Sequence, residues 1–559
     1  MLKFDDTKRD EDLAALRAQE EEDFQQIMAE KYGIPYEDLS VAPIDIEAIS
    51  ILKEDTARGA VLAPFALAGK KLKVGIFSPN EEKTKEALAN LTERGYTVLP
   101  HLVSHASLEK VWSRYGDISS STKSEAGVVD IENQSMEDLV KHYTTFSIVS
   151  EALKKTISEK TGRQISNLFS IVLAGAIGIH ASDIHIEPAE EGIHVRFRVD
   201  GVLHEVAILP NSIYRNFSSR LKLMAGLRLN IGTESQDGRF SIKISDLEIE
   251  MRVSVIPGPY GEGIVMRILN PLSINVTLED LGMSSRLLAV IQKEIDKPHG
   301  MVLNTGPTGS GKTTTLYAFL KKIYSPEIKM MTIEDPIEYH MKGVSQTQVE
   351  EKKGYTFLEG LRAAMRQDPD VIMVGEIRDG ETAKVAINAA LTGHMVFSTL
   401  HTNTAAGTIP RLIELGVTPK IIISALTVAL AQRLSRKLCV ACKKEDTPTP
   451  EEQAIINKIS IRIKNKTGTD VQTKKVWRAV GCDKCNETGY KGRIGVFEAI
   501  LMTPEIEQLL DGIPSEREIS KAAESQNLLT MQEDGIEKIL AGLTSFDEVM
   551  RVVDLTITE

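Results

Sequence analysis

A multidomain α/β protein is what this sequence predicts, with a P-loop core preceded by two smaller α/β regions, and three observations carry that expectation. At 559 residues the chain exceeds a single core, and a norm of about 150 residues per domain gives three or four. Met301–Thr305 is a short apolar strand signal. It runs into Gly306, Pro307, Thr308, Gly309, Ser310, Gly311, Lys312 and Thr313, and a helical pattern continues through Thr314 to Leu320. That order of strand, turn and helix is the context a phosphate-binding loop requires. The residues beyond it alternate strand and helix signals, as a mainly parallel sheet demands.

The elements follow in order. Residues up to about 30 are highly charged, densest at Glu20–Asp23, and read as a solvated helix or loose tail. Leu72–Phe77 and Tyr96–Pro100 have strand patterns around a helical Glu81–Glu93, so residues 1–116 form a small α/β domain. Residues 117–135 have linker composition, with Ser119–Ser124 poor in large apolar side chains. A second domain, residues 136–272, is expected to pack a helix at Ile165–Ile179 on a mixed sheet. Its strands are Ile184–Glu187, His194–Val199, Glu248–Val255 and Gly263–Leu269. Residues 273–559 form the P-loop domain, with a cysteine-bearing subdomain at about 436–495.

Composition narrows the function. A chain 42% hydrophobic and 26% charged is of the soluble globular class, and its 5% aromatic content supplies no stacking platform for single strands. A net charge of −13 opposes duplex binding through phosphate neutralisation. The charged start contains no apolar signal segment, so a cytoplasmic location is expected. The longest apolar stretch, Phe169–Ile179, is shorter than the roughly 20 residues of a membrane span and reads as a buried helix.

The candidate chemistry lies on strand ends. Gly306, Gly309 and Gly311 let successive amides turn toward phosphate oxygens, Lys312 brings a cation to the outer phosphates, and Thr313 offers a hydroxyl to Mg²⁺. Met330–Ile333 ends in Glu334, Asp335 and Glu338, a place where a carboxylate can polarise an attacking water. Acidic residues are also ordinary in such turns. Val371–Val374 leads through Gly375 to Glu376, a Walker B-like end with glycine where an aspartate often stands. His394 and His401 bracket another apolar strand. A neutral imidazole there can report the γ-phosphate, although a lone buried histidine is more often satisfied by a carbonyl. Cys439, Cys442, Cys482 and Cys485 form two Cys-x-x-Cys pairs suited to one closed structural Zn²⁺ site, with a pair of redox dithiols as the alternative.

Together these strings resemble the type II secretion and type IV pilus assembly ATPases, from about residue 30 to the C-terminus. The resemblance matches the Walker A loop to Gly306–Thr313, the acidic "Asp box" to Thr332–Glu338, a Walker B ending in Gly-Glu to Asp368–Asp379, and the "His box" to Leu391–Thr402. It implies a RecA-like core bound to ATP through residues 306–314, including Thr314, after a PAS-like domain. It also implies Glu338 as the catalytic glutamate, Glu376 acting with Mg²⁺, and His394 and His401 coupling nucleotide state to movement. Ala181–Pro188 and Val195–Gly201 support the same likeness. Arg252 and Arg267, surface cations on pattern alone, are implied to reach the γ-phosphate when their domain closes. Further implications are a homohexamer, a zinc-bearing insert, and work at the inner face of the plasma membrane through platform and docking proteins. A nucleic-acid translocase is the alternative. The N-terminal domain lacks the Arg-Leu-Gly signature by which some relatives bind cyclic di-GMP, so no binding of that messenger is expected.

Overall fold

The computed structural model describes residues 21–39, 44–68, 70–117, 122–124, 128–130, 133–159, 164–229, 231–245, 247–271, 276–471 and 474–556. Most of the charged tail and much of the expected linker lie outside them. The chain divides into two compact units, Met1–Val199 with Leu203–Ile268, and Asp200–Val202 with Leu269–Glu559.

The first unit carries two sheets. In the smaller, β1 (Leu62–Ala68) pairs antiparallel with β2 (Lys71–Ile76), which pairs parallel with β3 (Thr97–Leu102). Sequence patterning missed β1 because Pro64 interrupts it. The strand survives because it is an edge, with a bulge between Pro64 and Ala66, where a missing amide costs no ladder bond. Trp112 closes this core, its indole N–H donating to the Leu62 carbonyl at 3.0 Å.

The larger sheet has eight strands in the order β4-β5-β9-β10-β11-β6-β7-β8. These are β4 (Thr122–Ser124), β5 (Val128–Asp130), β6 (Asp183–Pro188), β7 (Ile193–Val199), β8 (Val202–Leu209), β9 (Gln236–Ile244), β10 (Leu247–Ile256) and β11 (Gly263–Leu269). The first two fall inside the expected linker, where Val128 and Val129 pair with Ser241 and Ile242 of β9. The helix Gln164–Gly178 is apolar nearly all round, with Leu168, Phe169 and Ile171 to Ile177 buried, which is why its sequence reads as a long apolar stretch broken only by Ser170.

The second unit is a sheet of seven strands in the order β14-β13-β15-β16-β12-β17-β20. They are β12 (Gly300–Thr305), β13 (Met330–Glu334), β14 (Val344–Gln348), β15 (Val371–Val374), β16 (Met395–Leu400), β17 (Leu426–Leu438) and, after β18 (Lys444–Asp446) and β19 (Val476–Arg478), β20 (Tyr490–Leu501). All neighbours are parallel except β20, which runs antiparallel to β17. β12, β15 and β16 are buried along their whole length, the signature of a central parallel strand covered on both faces. Phe319 and Phe397 meet between one helical layer and the sheet at 5.8 Å. Each such fully buried side chain contributes about 1.5–3 kcal/mol. The short pair β18 and β19 and the helix Pro450–Thr467 belong to the cysteine-bearing region. Trp477 of β19 packs so tightly against Gly542 that a Cβ there would lie 2.6 Å from its ring.

Candidate active site and metal centre

The loop 306–313 forms where β12 leaves the sheet. Gly306 and Gly311 have φ of +148° and +87°. A Cβ on Gly306 would stand 2.5 Å from the Gln432 carbonyl oxygen, and one on Gly311 2.9 Å from Gln432 Nε2, so both positions demand glycine. Gly311 caps the helix Lys312–Ile323, whose first amides therefore open at the loop. Beneath it, Gln432 of β17 accepts from Asn304 Nδ2 at 2.9 Å and Thr315 Oγ1 at 2.8 Å, fixing strand and helix to each other. Lys312 Nζ donates to the Gly306 and Pro307 carbonyls at 2.8 and 3.2 Å. Burial lowers its pKa, opposed by the Glu376 carboxylate and reinforced by the Arg433 cation, and a phosphate arriving there favours the charged form. Pro307, Thr308 and Thr313 are exposed, Thr314 is half-buried, and Ser310 is buried with its hydroxyl unpartnered.

The three carboxylates after β13 take different environments. Glu334, 2% exposed, accepts from Thr332 Oγ1 at 2.5 Å, from Gln346 Nε2 at 3.1 Å, and from the Tyr317 hydroxyl. Burial pushes its pKa up despite these donors, and the charge of Glu338 adds to the effect. Asp335 is exposed and meets Arg378 Nη2 at 3.3 Å. Glu338 is half-buried in the loop that follows.

The second acidic strand end converges on the same edge of the sheet. Gly375 N donates to Ile333 O at 2.8 Å, and a Cβ on Gly375 would crowd that oxygen at 3.3 Å and the Phe357 ring at 3.4 Å. A side chain at this position would need Ile333 or Phe357 to shift by a few tenths of an ångström, so the close approach favours glycine. Glu376 accepts from Arg378 Nε at 2.6 Å and from His401 Nε2–H at 3.1 Å. Burial raises its pKa, but Arg378 and His401 outweigh burial and hold it below the usual carboxylate value.

The two histidines separate. His401 follows the C-terminal end of β16 beside Glu376, whereas His394 precedes its first residue, level with Gly300 at the start of β12. A six-residue strand at about 3.3 Å per residue puts them roughly 20 Å apart along the sheet. His394 Nδ1–H donates to the Ala389 carbonyl at 2.9 Å, the carbonyl-satisfied arrangement that spacing alone suggests.

In the first unit, Arg252 on β10 reaches Glu250 at 3.1 Å. Arg267 on the neighbouring β11 reaches Asp183 of β6 at 3.2 Å, while its side chain is 60% exposed.

The four cysteines gather. No disulfide joins them, and their sulfurs all lie within 4.8 Å of one another. Cys439–Cys482, Cys442–Cys485 and Cys482–Cys485 are separated by 3.9, 3.8 and 3.7 Å. Tetrahedral thiolates at the usual Zn–S distance are about 3.8 Å apart, so the cluster fits zinc. The amides of Cys482 and Gly489 point at Cys485 Sγ at 3.2 and 3.3 Å, donors suited to a thiolate.

Sequence reasoning missed Gln432, Arg433 and Arg378 as parts of the site. The signal for the first two was available, since they are polar residues inside the apolar run Leu426–Leu438. A phosphate-cradling loop at the C-terminal edge of a mainly parallel sheet, with a second acidic strand end beside it, defines a P-loop nucleoside triphosphatase. Residues 158–551 match the family described as type II/IV secretion system protein, and residues 32–122 match the MshEN domain. The chain belongs to the type II/IV secretion system protein family. It is 36% identical over 543 residues to the type IV pilus assembly ATPase PilB of Myxococcus xanthus, covering 96% of this chain and 92% of that one. It is 42% identical over 421 residues to the type II secretion system protein E of Aeromonas hydrophila, covering 75% and 82% respectively. The fold is also that of the ATPase DotB of Yersinia pseudotuberculosis, at a TM-score of 0.51 and 20% identity over 72% of this chain and 95% of that one. Among the described residues no helix is long and apolar enough to cross a membrane.

Proposed function

We propose that this chain hydrolyses ATP and uses the energy to drive pilin or pseudopilin assembly, in type IV pilus assembly or type II secretion. The observation that carries the reading is the Gly306–Thr313 loop meeting Glu376 and His401 at one edge of the sheet. Residues 306–314 bind the phosphates, Lys312 neutralises the outer ones, and Glu338 polarises the attacking water. Thr313 and Glu376 would hold Mg²⁺, which supplies charge neutralisation on the phosphates. Arg252 and Arg267 offset transition-state charge when their domain closes, which ties hydrolysis to motion. His401 reports nucleotide state through Glu376, and His394 serves the movement rather than the chemistry. Cys439, Cys442, Cys482 and Cys485 hold a structural Zn²⁺. In this reading the working form is a homohexamer in the cytoplasm, held at the inner membrane by platform and docking proteins.

The test is Glu338→Gln in the full chain. Its turnover is expected to fall by about 10²–10⁴-fold, the usual worth of a positioned general base, with binding of a non-hydrolysable ATP analogue retained. Normal turnover would remove Glu338 from the chemistry.

A further inference from the structure

The segment between β16 and the helix Thr408–Glu414 is gripped from several sides. Thr402 N donates to Thr305 Oγ1 at 2.7 Å, the last residue of the strand that feeds the P-loop. Arg433 Nη2 donates to both oxygens of Asn403, the carbonyl at 2.8 Å and Oδ1 at 3.3 Å. Thr404 Oγ1 donates to Glu516 Oε1 at 2.6 Å. Ala405 N donates to Glu498 Oε1 at 2.7 Å, and the other oxygen of Glu498 accepts from Met531 N at 3.2 Å. Ala405 and Ala406 are buried, at 0% and 3% exposure.

Two of these grips come from one antiparallel strand pair, β17 and β20. Ala431 of β17 stands opposite Glu498 of β20, so Arg433, two residues on, shares the Glu498 face at a diagonal. Arg433 also borders the P-loop. Its Nη1 donates to the Gln432 carbonyl at 3.0 Å and lies 3.1 Å from where a Gly306 Cβ would stand. One guanidinium therefore touches the surroundings of the first P-loop glycine with one arm and the segment after His401 with the other. A lysine has a point charge there and cannot span both.

We propose that Arg433 is a positioning residue for hydrolysis: with Glu498 it fixes residues 402–407, and so sets Glu376 and His401 in register with the P-loop. The route is short. Thr402 is clasped to Thr305, and His401, its neighbour in the chain, holds Glu376. Slack in the segment displaces a carboxylate that would hold Mg²⁺ beside the phosphates, while the P-loop, held separately by Gln432, keeps its shape. The inference rests on reading the P-loop as an ATP site.

The experiment uses the full chain with Arg433→Gln, Arg433→Lys and the isosteric Glu498→Gln. It measures kcat, KM, affinity for a fluorescent non-hydrolysable ATP analogue, and amide hydrogen exchange over residues 402–407. Arg433→Gln is expected to lower kcat by about 10²-fold, the effect of misplacing a reacting group by an ångström. Analogue affinity stays near wild type, and exchange at Ala405 and Gly407 speeds up. Arg433→Lys should recover little of kcat, because the fork and not the charge is needed. Glu498→Gln should speed the same amides and lower kcat less, and it carries the test should Arg433→Gln not fold. Unchanged kcat and unchanged exchange in Arg433→Gln overturn the proposal. So does loss of analogue binding with unchanged exchange, which would make Arg433 a direct phosphate ligand. A wild-type chain that binds no analogue would refute the ATP reading itself, and the exchange data would still show whether Arg433 holds the segment.

Discussion

Glu334 ends β13 and Glu376 lies two residues past the end of the parallel neighbour β15, yet their surroundings push them in opposite directions. Glu334 is enclosed by Tyr317, Thr332 and Gln346, and burial raises its pKa. A raised folded-state pKa means that the protonated form stabilises the fold: the contribution is present below the ordinary carboxylate value of about 4.3 and is lost as pH rises through the folded value. Glu334→Gln should therefore remove a loss of stability that the wild-type chain suffers as pH rises above the ordinary carboxylate value. Thermal midpoints of the two proteins from about pH 4 to about pH 8 check this, and parallel curves would show that Glu334 is not the group responsible. The glycines of the P-loop and the identity of Lys312 and Thr313 were legible in the sequence because their backbone demands are local. The division of labour among Glu334, Asp335 and Glu338 was not, since it depends on Gln346 and Tyr317, which arrive from other elements.

β17 shows the same limit for an element. Its apolar run announces a buried strand and marks Gln432 and Arg433 as polar exceptions, but the partners they meet come from elsewhere: Gln432 holds the P-loop, and Arg436 ends in a buried pair. Arg436 Nη2 reaches Glu548 at 2.6 Å, with side-chain exposures of 16% and 3%, and its guanidinium lies 4.2 Å from the Tyr490 ring. Truncating one partner leaves the other charged and buried, so Glu548→Ala should cost about 3–5 kcal/mol in denaturant unfolding. Replacing both partners with apolar residues should cost much less. β1 failed to announce itself for a different reason: Pro64 breaks the pattern of a strand whose edge position makes the break harmless. The cysteine cluster was legible from spacing, and its test is metal content. Cys442→Ser should reduce zinc measured by atomic absorption from one per chain toward zero and lower the thermal midpoint, whereas full zinc retention would remove that thiolate from the ligand set.

For the whole molecule, the strand and helix alternation around the P-loop was legible in the sequence, while β1, β4 and β5, the order of the strands in each sheet, and the partners of Arg252 and Arg267 were not. Arg267 is mostly exposed beside Asp183, a cation already balanced by a carboxylate yet open to solvent. If the two arginines complete the site on closure, Arg267→Ala should lower kcat by about 10³-fold with analogue affinity little changed. An unaltered kcat would return Arg267 to the role of a surface ion pair. Only two tryptophans occur in the chain, and they are Trp112, sealed against Leu62 in the first unit, and Trp477, pressed on Gly542 in the second. Each unit thus carries its own intrinsic fluorophore. Replacing Trp112 with phenylalanine leaves an emission signal from Trp477 alone, with Lys443 4.5 Å from its ring as a built-in local perturber. Such a chain would report optically, without any attached dye, when the cysteine-bearing region loosens from Gly542.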